Sequence, residues 1–148
     1  MKSTVTWTGN RAFEGKTEDG FAVSLGQSTD TSPKPGPSPM ELILMGTGGC
    51  SIFDVVGILE KGRQDVDDVR VEMSADRADA VPAVFTRIHL HFVVTGRGVK
   101  PTLVERAVEL SAENTARRRR CCKRPSRSPM TLRSSKFKPE ALWFAAPF

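Results

Sequence analysis

A cysteine follows two glycines in the apolar segment MELILMGTGGCSIFDVVGILEKGRQ. Because Gly48 and Gly49 each weaken a helix by about 1 kcal/mol relative to Ala, we predict a break there and place Cys50 in the first turn of a helix. Unpaired amides and the helix dipole at that end favour a thiolate, which can attack an electrophile such as a peroxide oxygen. By position alone, a small buried core residue is the commoner explanation, and the choice stays open.

Charged and imidazole side chains supply the other candidates for chemistry. Arg11, Glu41 and Asp54 could each assist a thiolate, although a single charged residue is more often simply exposed. His89 and His91 share one face of a predicted strand, but no third metal ligand stands at a suitable spacing. We therefore expect no metal and no cofactor, and a solvated or interface position for the two histidines.

The cysteine pattern and the absence of long apolar runs predict a reduced, cytoplasmic protein. Cys121 and Cys122 are neighbours, and a disulfide between adjacent residues is strained, so the three cysteines make a poor disulfide framework. The first fifteen residues contain no signal-peptide run, and we find no segment approaching the roughly 20 apolar residues of a membrane span. No membrane partner is expected.

The elements that must position these residues follow from hydrophobic periodicity. Near the N-terminus VTWTG, RAFEGKT and FAVSL alternate apolar with polar residues, which predicts an antiparallel meander with a turn at Glu18-Asp19-Gly20. The next stretch, STDTSPKPGPSP, contains four prolines that cannot donate backbone hydrogen bonds. It is predicted to be a loop leading to a different kind of element.

Two helices and two more strands complete the predicted order. The first helix carries apolar residues around most of its circumference, which predicts burial on all sides; they are Ile52, Phe53, Val55, Val56, Ile58 and Leu59. VDDVRVEMSADRA and FTRIHLHFVVTG read as strands, and PTLVERAVELSAE as a second helix whose apolar face comprises Leu103, Val104, Ala107, Val108 and Leu110. The order of strands, helix, strands and helix predicts an α+β domain around one core.

The charge pattern divides the 148-residue chain near Asn114. Residues 1–114 hold 12 Lys and Arg against 16 Asp and Glu, whereas residues 115–148 hold 10 against 1, so the tail accounts for the net charge of +5. The basic residues between Arg117 and Arg127 could contact nucleic-acid phosphates, but residues 117–127 contain none of the interleaved aromatic residues on which bases stack. A disordered charged tail is the simpler explanation, and we do not expect nucleic acid as a partner.

The segment PSPMELILMGTGGCSIFDVVGIL resembles the OsmC/Ohr family of osmotically inducible and organic-hydroperoxide-resistance proteins. KGRQDV, FTRIHLHFVVTGR and VERAVELSAE extend the likeness, particularly to the YhfA-like branch, over residues 1 to about 114. The resemblance implies a two-lobed α+β fold, in which curved antiparallel sheets pack on a central buried helix, and an intertwined homodimer. In peroxidase members hydroperoxide oxidises a cysteine at the start of that helix, which Cys50 matches, and a cysteine on the next helix resolves the product.

The resemblance implies reduction of an organic hydroperoxide as the ancestral chemistry, with an external dithiol as reductant. Two departures weaken this expectation: Met40 occupies the place of a carboxylate ten residues before the cysteine, with Glu41 one position off, and the loop of Arg11 aligns poorly with the family's arginine. The alternative is a protein without enzymatic activity that binds a small apolar ligand or senses redox state through Cys50. Whether the chain is an enzyme stays open.

The family's second cysteine is missing from its expected place after SAE, where Ala116 stands instead. A different reading frame of the same DNA can encode the family's sequence at this point. The codons of Asn114-Thr115-Ala116 can then give Tyr-Cys, and the arginine codons, if they are CGN, give small residues. The codons from Arg120 to Cys122 can give Met-Leu. We therefore hypothesise a frameshifted reading from about Asn114 onward. On this hypothesis residues 1–114 form an incomplete OsmC-like domain, residues 115–148 are disordered or non-native, and Cys121 and Cys122 have no assigned role.

Overall fold

A computed structural model describes residues 1–118 and 130–134. Its elements in chain order are β1 (Ser3–Gly9), β2 (Ala12–Thr17), β3 (Ala22–Gly26), α1 (Pro39–Lys61), β4 (Asp65–Arg77), β5 (Phe85–Arg97), α2 (Pro101–Arg118) and β6 (Met130–Ser134). The chain divides into two compact units, Met1–Gly46 and Thr47–Phe148. Two helices combined with antiparallel sheets confirm the predicted α+β class.

In the first unit, β1, β2 and β3 form the predicted antiparallel meander. The register pairs Trp7 with Phe13 and Phe13 with Leu25, and directly opposed residues of antiparallel strands project from the same face. Val5 and Val23, which both oppose a glycine of β2, belong to this face as well. Of the five, only Leu25 is fully buried, while Val5, Trp7 and Val23 are exposed. The sheet therefore has an apolar face that the described part of the chain leaves largely uncovered.

In the second unit, β4 and β5 pair along their whole length as an antiparallel hairpin, and β6 pairs in parallel with β5. Residues of this hairpin and of both helices form one buried cluster: Val55, Leu59, Phe92, Val94, Val104, Ala107 and Val108. The apolar face of this sheet is thus covered by helices, and it forms the main core of the protein.

The break predicted at Gly48 and Gly49 does not occur. Helix α1 runs without interruption through its 23 residues, so Cys50 lies in the middle of the helix and not in its first turn. Gly48 is buried, and a Cβ added there would collide with Sδ of Met73 on β4. The glycine permits close packing of α1 on β4, and that packing overrides a propensity cost of about 1 kcal/mol.

The prediction that α1 is buried on all sides is wrong for the single chain. Val55 and Leu59 are buried, whereas Ile43 and Met45 are more than half exposed and Phe53 is 82% exposed. The hairpin and α2 cover one side of the helix, and within residues 1–118 and 130–134 these three side chains stay exposed. Among helices in the described residues, α1 is also long and apolar enough to cross a membrane, contrary to our sequence expectation, although core helices of soluble proteins pass the same test.

Helix α2 buries most of the residues assigned to its apolar face, including Val104, Ala107 and Val108. Leu110 is an exception at 38% exposed, and the next buried position is Ser111. The helix continues to Arg118, past the change of composition at Asn114, and Met130–Ser134 adds a strand. Cys121 and Cys122 lie outside the described residues, and the domain division at residue 114 stays a prediction.

Candidate functional site

Cys50 is exposed on α1, about three helical turns beyond the residue that begins the helix. The influence of a helix dipole falls off within the first turn, and Cys50 lies well beyond that turn. Helical spacing of three, four and seven residues places Ile43, Gly46 and Phe53 on the same side as Cys50. All three are exposed. The thiol therefore belongs to an accessible, apolar helix face.

Small residues make this face of α1 open to close approach. A Cβ added at Gly46, Gly49 or Gly57 would meet no atom within 4 Å. Asp54, one turn after Cys50, is half-buried. A substrate or another polypeptide can thus come near the backbone of α1 beside the thiol.

Glu41 takes part in the hydrogen bonds that cap the start of α1. Its backbone amide donates to Ser38 Oγ at 3.3 Å, and the amide of Ser38 donates to Glu41 Oε2 at 2.6 Å. With Pro39 as the first helical residue, this reciprocal pair is a capping box. Lys34 Nζ also donates to Glu41 Oε2. The Lys34 hydrogen bond, followed by those from Ser38, lowers the pKa of Glu41 to about 2.

This arrangement gives Glu41 a task other than assisting a thiolate. Glu41 precedes Cys50 by nine residues, which is about two and a half helical turns, so the two residues point to opposite sides of α1. Its carboxylate already accepts hydrogen bonds from the Ser38 amide and from Lys34 Nζ. The geometry assigns Glu41 to helix capping.

Arg11 lies in the turn between β1 and β2. The turn is possible because Gly9 and Asn10 adopt positive φ angles of 111° and 49°, which glycine and asparagine tolerate best. Arg11 Nη1 donates to Gln27 Oε1 at 3.1 Å, and the Arg11 carbonyl accepts from the Gln27 amide at 3.1 Å. Arg11 therefore ties this turn to the end of β3 in the first unit, whereas Cys50 belongs to the second. A role for Arg11 beside the thiol stays a prediction.

His89 and His91 lie on β5, opposite Ser74 and Glu72 of β4. Both imidazoles are half-buried. Within residues 1–118 and 130–134, no group of three or more potential metal ligands comes together. Side chains alternate along a strand, and Phe92 of β5 belongs to the core, so the two histidines lie on the sheet face opposite the helix-covered core.

The sequence did not predict a buried hydrogen-bonded link next to Cys50. Ser111 Oγ on α2 donates to the backbone carbonyl of Ser51 at 3.1 Å, and Ser51 Oγ donates to the carbonyl of Thr47 at 3.0 Å. Ser51 is 2% exposed and Ser111 is 1% exposed. The sequence could have indicated this bond, because Ser51 and Ser111 each stand at an inward-facing position of a helix and a buried hydroxyl needs a hydrogen-bond partner.

Comparison with known proteins decides the family. Residues 29–116 match the model of the OsmC-like protein family. The chain belongs to the OsmC-like family. It is 47% identical to Protein YhfA of Escherichia coli K12 over 114 residues, which cover 76% of this chain and 82% of YhfA. The sequence prediction of an OsmC/Ohr resemblance is therefore confirmed.

Solved structures share the OsmC-like fold. A hypothetical protein from Aquifex aeolicus has a TM-score of 0.76 at 26% identity, with 91% of this chain and 97% of that chain covered. The organic hydroperoxide resistance protein OhrB of Bacillus subtilis has a TM-score of 0.53 at 15% identity, with coverage of 91% and 98%. At 15% identity the likeness to OhrB shows the fold alone.

Proposed function

We propose that this OsmC-like protein is a thiol-dependent redox protein in which Cys50 reduces organic hydroperoxides. The observation that carries the proposal is an exposed cysteine on an apolar, glycine-rich helix face, inside the segment that matches the family. The fold shared with an organic hydroperoxide resistance protein supports the same chemistry. We expect the protein to act in the cytoplasm, where thiols are kept reduced.

The reaction begins with nucleophilic attack by the Cys50 thiolate on one peroxide oxygen. The O–O bond breaks, the remaining alkoxide takes a proton and leaves as an alcohol, and Cys50 becomes a sulfenic acid. One thiol of an external dithiol then displaces water from the sulfenic acid and forms a mixed disulfide. The second thiol of that dithiol attacks the mixed disulfide, which restores the Cys50 thiol and leaves the reductant as a disulfide.

The side chains around Cys50 favour an organic substrate over hydrogen peroxide. Ile43 and Phe53 are large, apolar and exposed on the same side of α1 as the thiol. Burying apolar surface of a substrate against them contributes about 25 cal/mol per Å². A hydroperoxide with an aromatic or alkyl group gains this contribution, and hydrogen peroxide does not.

We also propose that the protein is a homodimer. The described residues leave two apolar surfaces uncovered, the Cys50 side of α1 and the sheet face around Trp7, and monomers rarely expose large contiguous apolar surface. The absence of side chains at Gly46, Gly49 and Gly57 allows another helix to approach α1 closely. A second copy supplies matching apolar surface for both, and the peroxidase proposal requires that it leave Cys50 open to the hydroperoxide.

Consumption of cumene hydroperoxide in the presence of dithiothreitol tests the peroxidase proposal. Wild-type protein and Cys50→Ser, which preserves the size of the side chain, are compared at equal concentration. We expect turnover in the wild type and only the uncatalysed rate in Cys50→Ser. Equal rates in the two proteins reject the proposal.

Redox sensing is the second candidate, and the number of cysteines favours it. Among the described residues Cys50 is the one cysteine, so no resolving thiol is placed beside it there. A sensor forms the sulfenic acid once, without turnover, and mass spectrometry after trapping with dimedone detects that state. A small apolar ligand on the Cys50 face is the related non-enzymatic alternative. Nucleic-acid binding by the basic tail would instead give an affinity that falls steeply with salt.

The origin of the tail bears on either candidate. The family match ends at residue 116, close to the change of composition at Asn114, which supports our hypothesis of a frameshifted reading. Resequencing the DNA across codons 112 to 118 tests it. An additional base that restores Tyr-Cys would return a second thiol to α2, whereas a confirmed sequence without Tyr-Cys in the neighbouring frame rejects the hypothesis.

A further inference from the structure

The turn of α1 that carries Cys50 is built from weak helix formers. Gly46, Gly48 and Gly49 all fall within residues 46–50. Glycine is the least favourable helix residue after proline, because its backbone loses the most freedom on folding. Gly46 and Gly49 have open space beside them and make no compensating contact there. The helical conformation of this segment therefore depends on contacts from other elements.

Two contacts within the second unit hold the part of this segment that begins at Thr47. Gly48 packs directly on Met73 of β4. One residue after Cys50, the carbonyl of Ser51 accepts the hydrogen bond from Ser111 of α2 at 3.1 Å. This bond joins residues 60 positions apart, and Ser111 is only 1% exposed. Water cannot easily replace a bond in such a buried place, so loss of the hydroxyl leaves α1 without this attachment.

We infer that Ser111 is a positioning residue for Cys50: its hydroxyl docks α2 on the glycine-rich turn of α1 and so holds the thiol in one orientation. The chemical consequence rests on the proposed function of Cys50, whereas the structural part rests on the contacts alone. Reaction with a hydroperoxide needs alignment of sulfur with the O–O bond, and loss of alignment slows such a step strongly. Alkylation of an exposed thiol is less demanding.

The test compares Ser111→Ala with two matched variants. Ser111→Thr retains a hydroxyl that can make the same bond. Val108→Ala shortens a buried side chain on the same helix, 5% exposed, and leaves the hydrogen bond in place. For each protein we would measure hydrogen exchange of the amides in residues 46–50, with the amides of Phe92 and Val94 as the reference for global stability. The rates at which cumene hydroperoxide oxidises Cys50 and iodoacetamide alkylates it complete the set.

We expect Ser111→Ala to accelerate exchange in residues 46–50 by about tenfold relative to the reference amides, which is the effect of losing one buried hydrogen bond. Oxidation of Cys50 should slow by a similar factor, about tenfold, while alkylation stays within about twofold. Val108→Ala should leave the relative exchange and both rates near the wild-type values. Ser111→Thr keeps the hydroxyl and should show the exchange and the reaction rates of the wild type.

Several results would overturn the inference. An equal rise of exchange in residues 46–50 and in the reference amides, or the same local rise in Val108→Ala, would reduce Ser111 to a general packing role. Unchanged oxidation in Ser111→Ala despite faster local exchange would also reject it. If Ser111→Ala does not fold, a folded Ser111→Thr that loses protection contradicts the inference. Absence of hydroperoxide consumption in the wild type defeats the proposed function separately, because the exchange measurement does not depend on it.

Discussion

The two sheets of the protein carry similar alternating patterns but end in different environments. Along β4 and β5 the apolar face is covered by α1 and α2, and Phe92 is 1% exposed. Along β1 to β3 the corresponding face leaves Val5, Trp7 and Val23 in contact with solvent. Period-two alternation therefore specifies which face is apolar, but another element must be present to bury it. The uncovered sheet is the surface that the homodimer we propose would cover.

The largest expected effect contrasts Phe92→Ala with Trp7→Ala. Removal of the buried Phe92 ring should lower the free energy of unfolding by about 3–5 kcal/mol, because a cavity replaces core contacts. Trp7→Ala should act by weakening association of the chains. If the protein is a dimer, the urea concentration at the midpoint of wild-type unfolding rises with protein concentration. In Trp7→Ala this rise should be smaller.

Urea unfolding at several protein concentrations, with light scattering for the mass, measures both effects. Phe92→Ala should shift the curves at every concentration. A wild-type midpoint that does not depend on concentration, together with a monomer mass, would contradict the dimer proposal.

A smaller effect separates two adjacent glycines of α1. Gly48→Ala should be less favourable than Gly49→Ala by about 1–3 kcal/mol, because the added methyl group displaces the end of the Met73 side chain and crowds Val71. Gly49→Ala meets open space and should be neutral or stabilise the helix by up to about 1 kcal/mol. Urea unfolding at low protein concentration gives both values, and equal effects at the two positions would show that α1 does not pack on β4 as described.

The smallest expected effect concerns the capping box at the start of α1. The folded-state pKa of Glu41 is lowered to about 2 from an ordinary value of 4.5, so its contribution to stability is complete above the ordinary value and is lost as pH falls toward 2. At neutral pH Glu41→Gln should be less stable than the wild type. This difference should shrink as pH falls from about 5 to about 2, because the wild type then loses the contribution of the Glu41 carboxylate.

Thermal unfolding as a function of pH measures this difference. Lys34→Gln serves as the companion variant, because the Lys34 hydrogen bond is the largest cause of the lowered pKa. Stability curves of wild type and Glu41→Gln that stay parallel over this pH range would contradict the prediction.

Much of the fold could be predicted from local sequence, because strand alternation and the apolar face of α2 are short-range patterns. The position of Cys50 in the middle of α1 could not be predicted. The helix continues through Gly48 because Gly48 packs on Met73, which lies on a later strand. Helix propensity counts each glycine as a cost and has no information about such a neighbour. The bond between Ser111 and Ser51 is missed for the same reason, because its partners are 60 residues apart. The capping box was readable in Ser38-Pro39-Met40-Glu41, and its presence explains why α1 begins before the glycines.

The hairpin β4–β5 lies between α1 and α2 in the chain, and this order has a consequence during synthesis. When α1 leaves the ribosome, the strands and the helix that cover its apolar side have not yet been made. Pro101, where α2 begins, follows Lys61 by a delay of several seconds at about 5–20 residues per second. Throughout that interval an apolar helix long enough to span a membrane has no native partner. Newly made chains therefore expose this apolar helix until α2 emerges and docks.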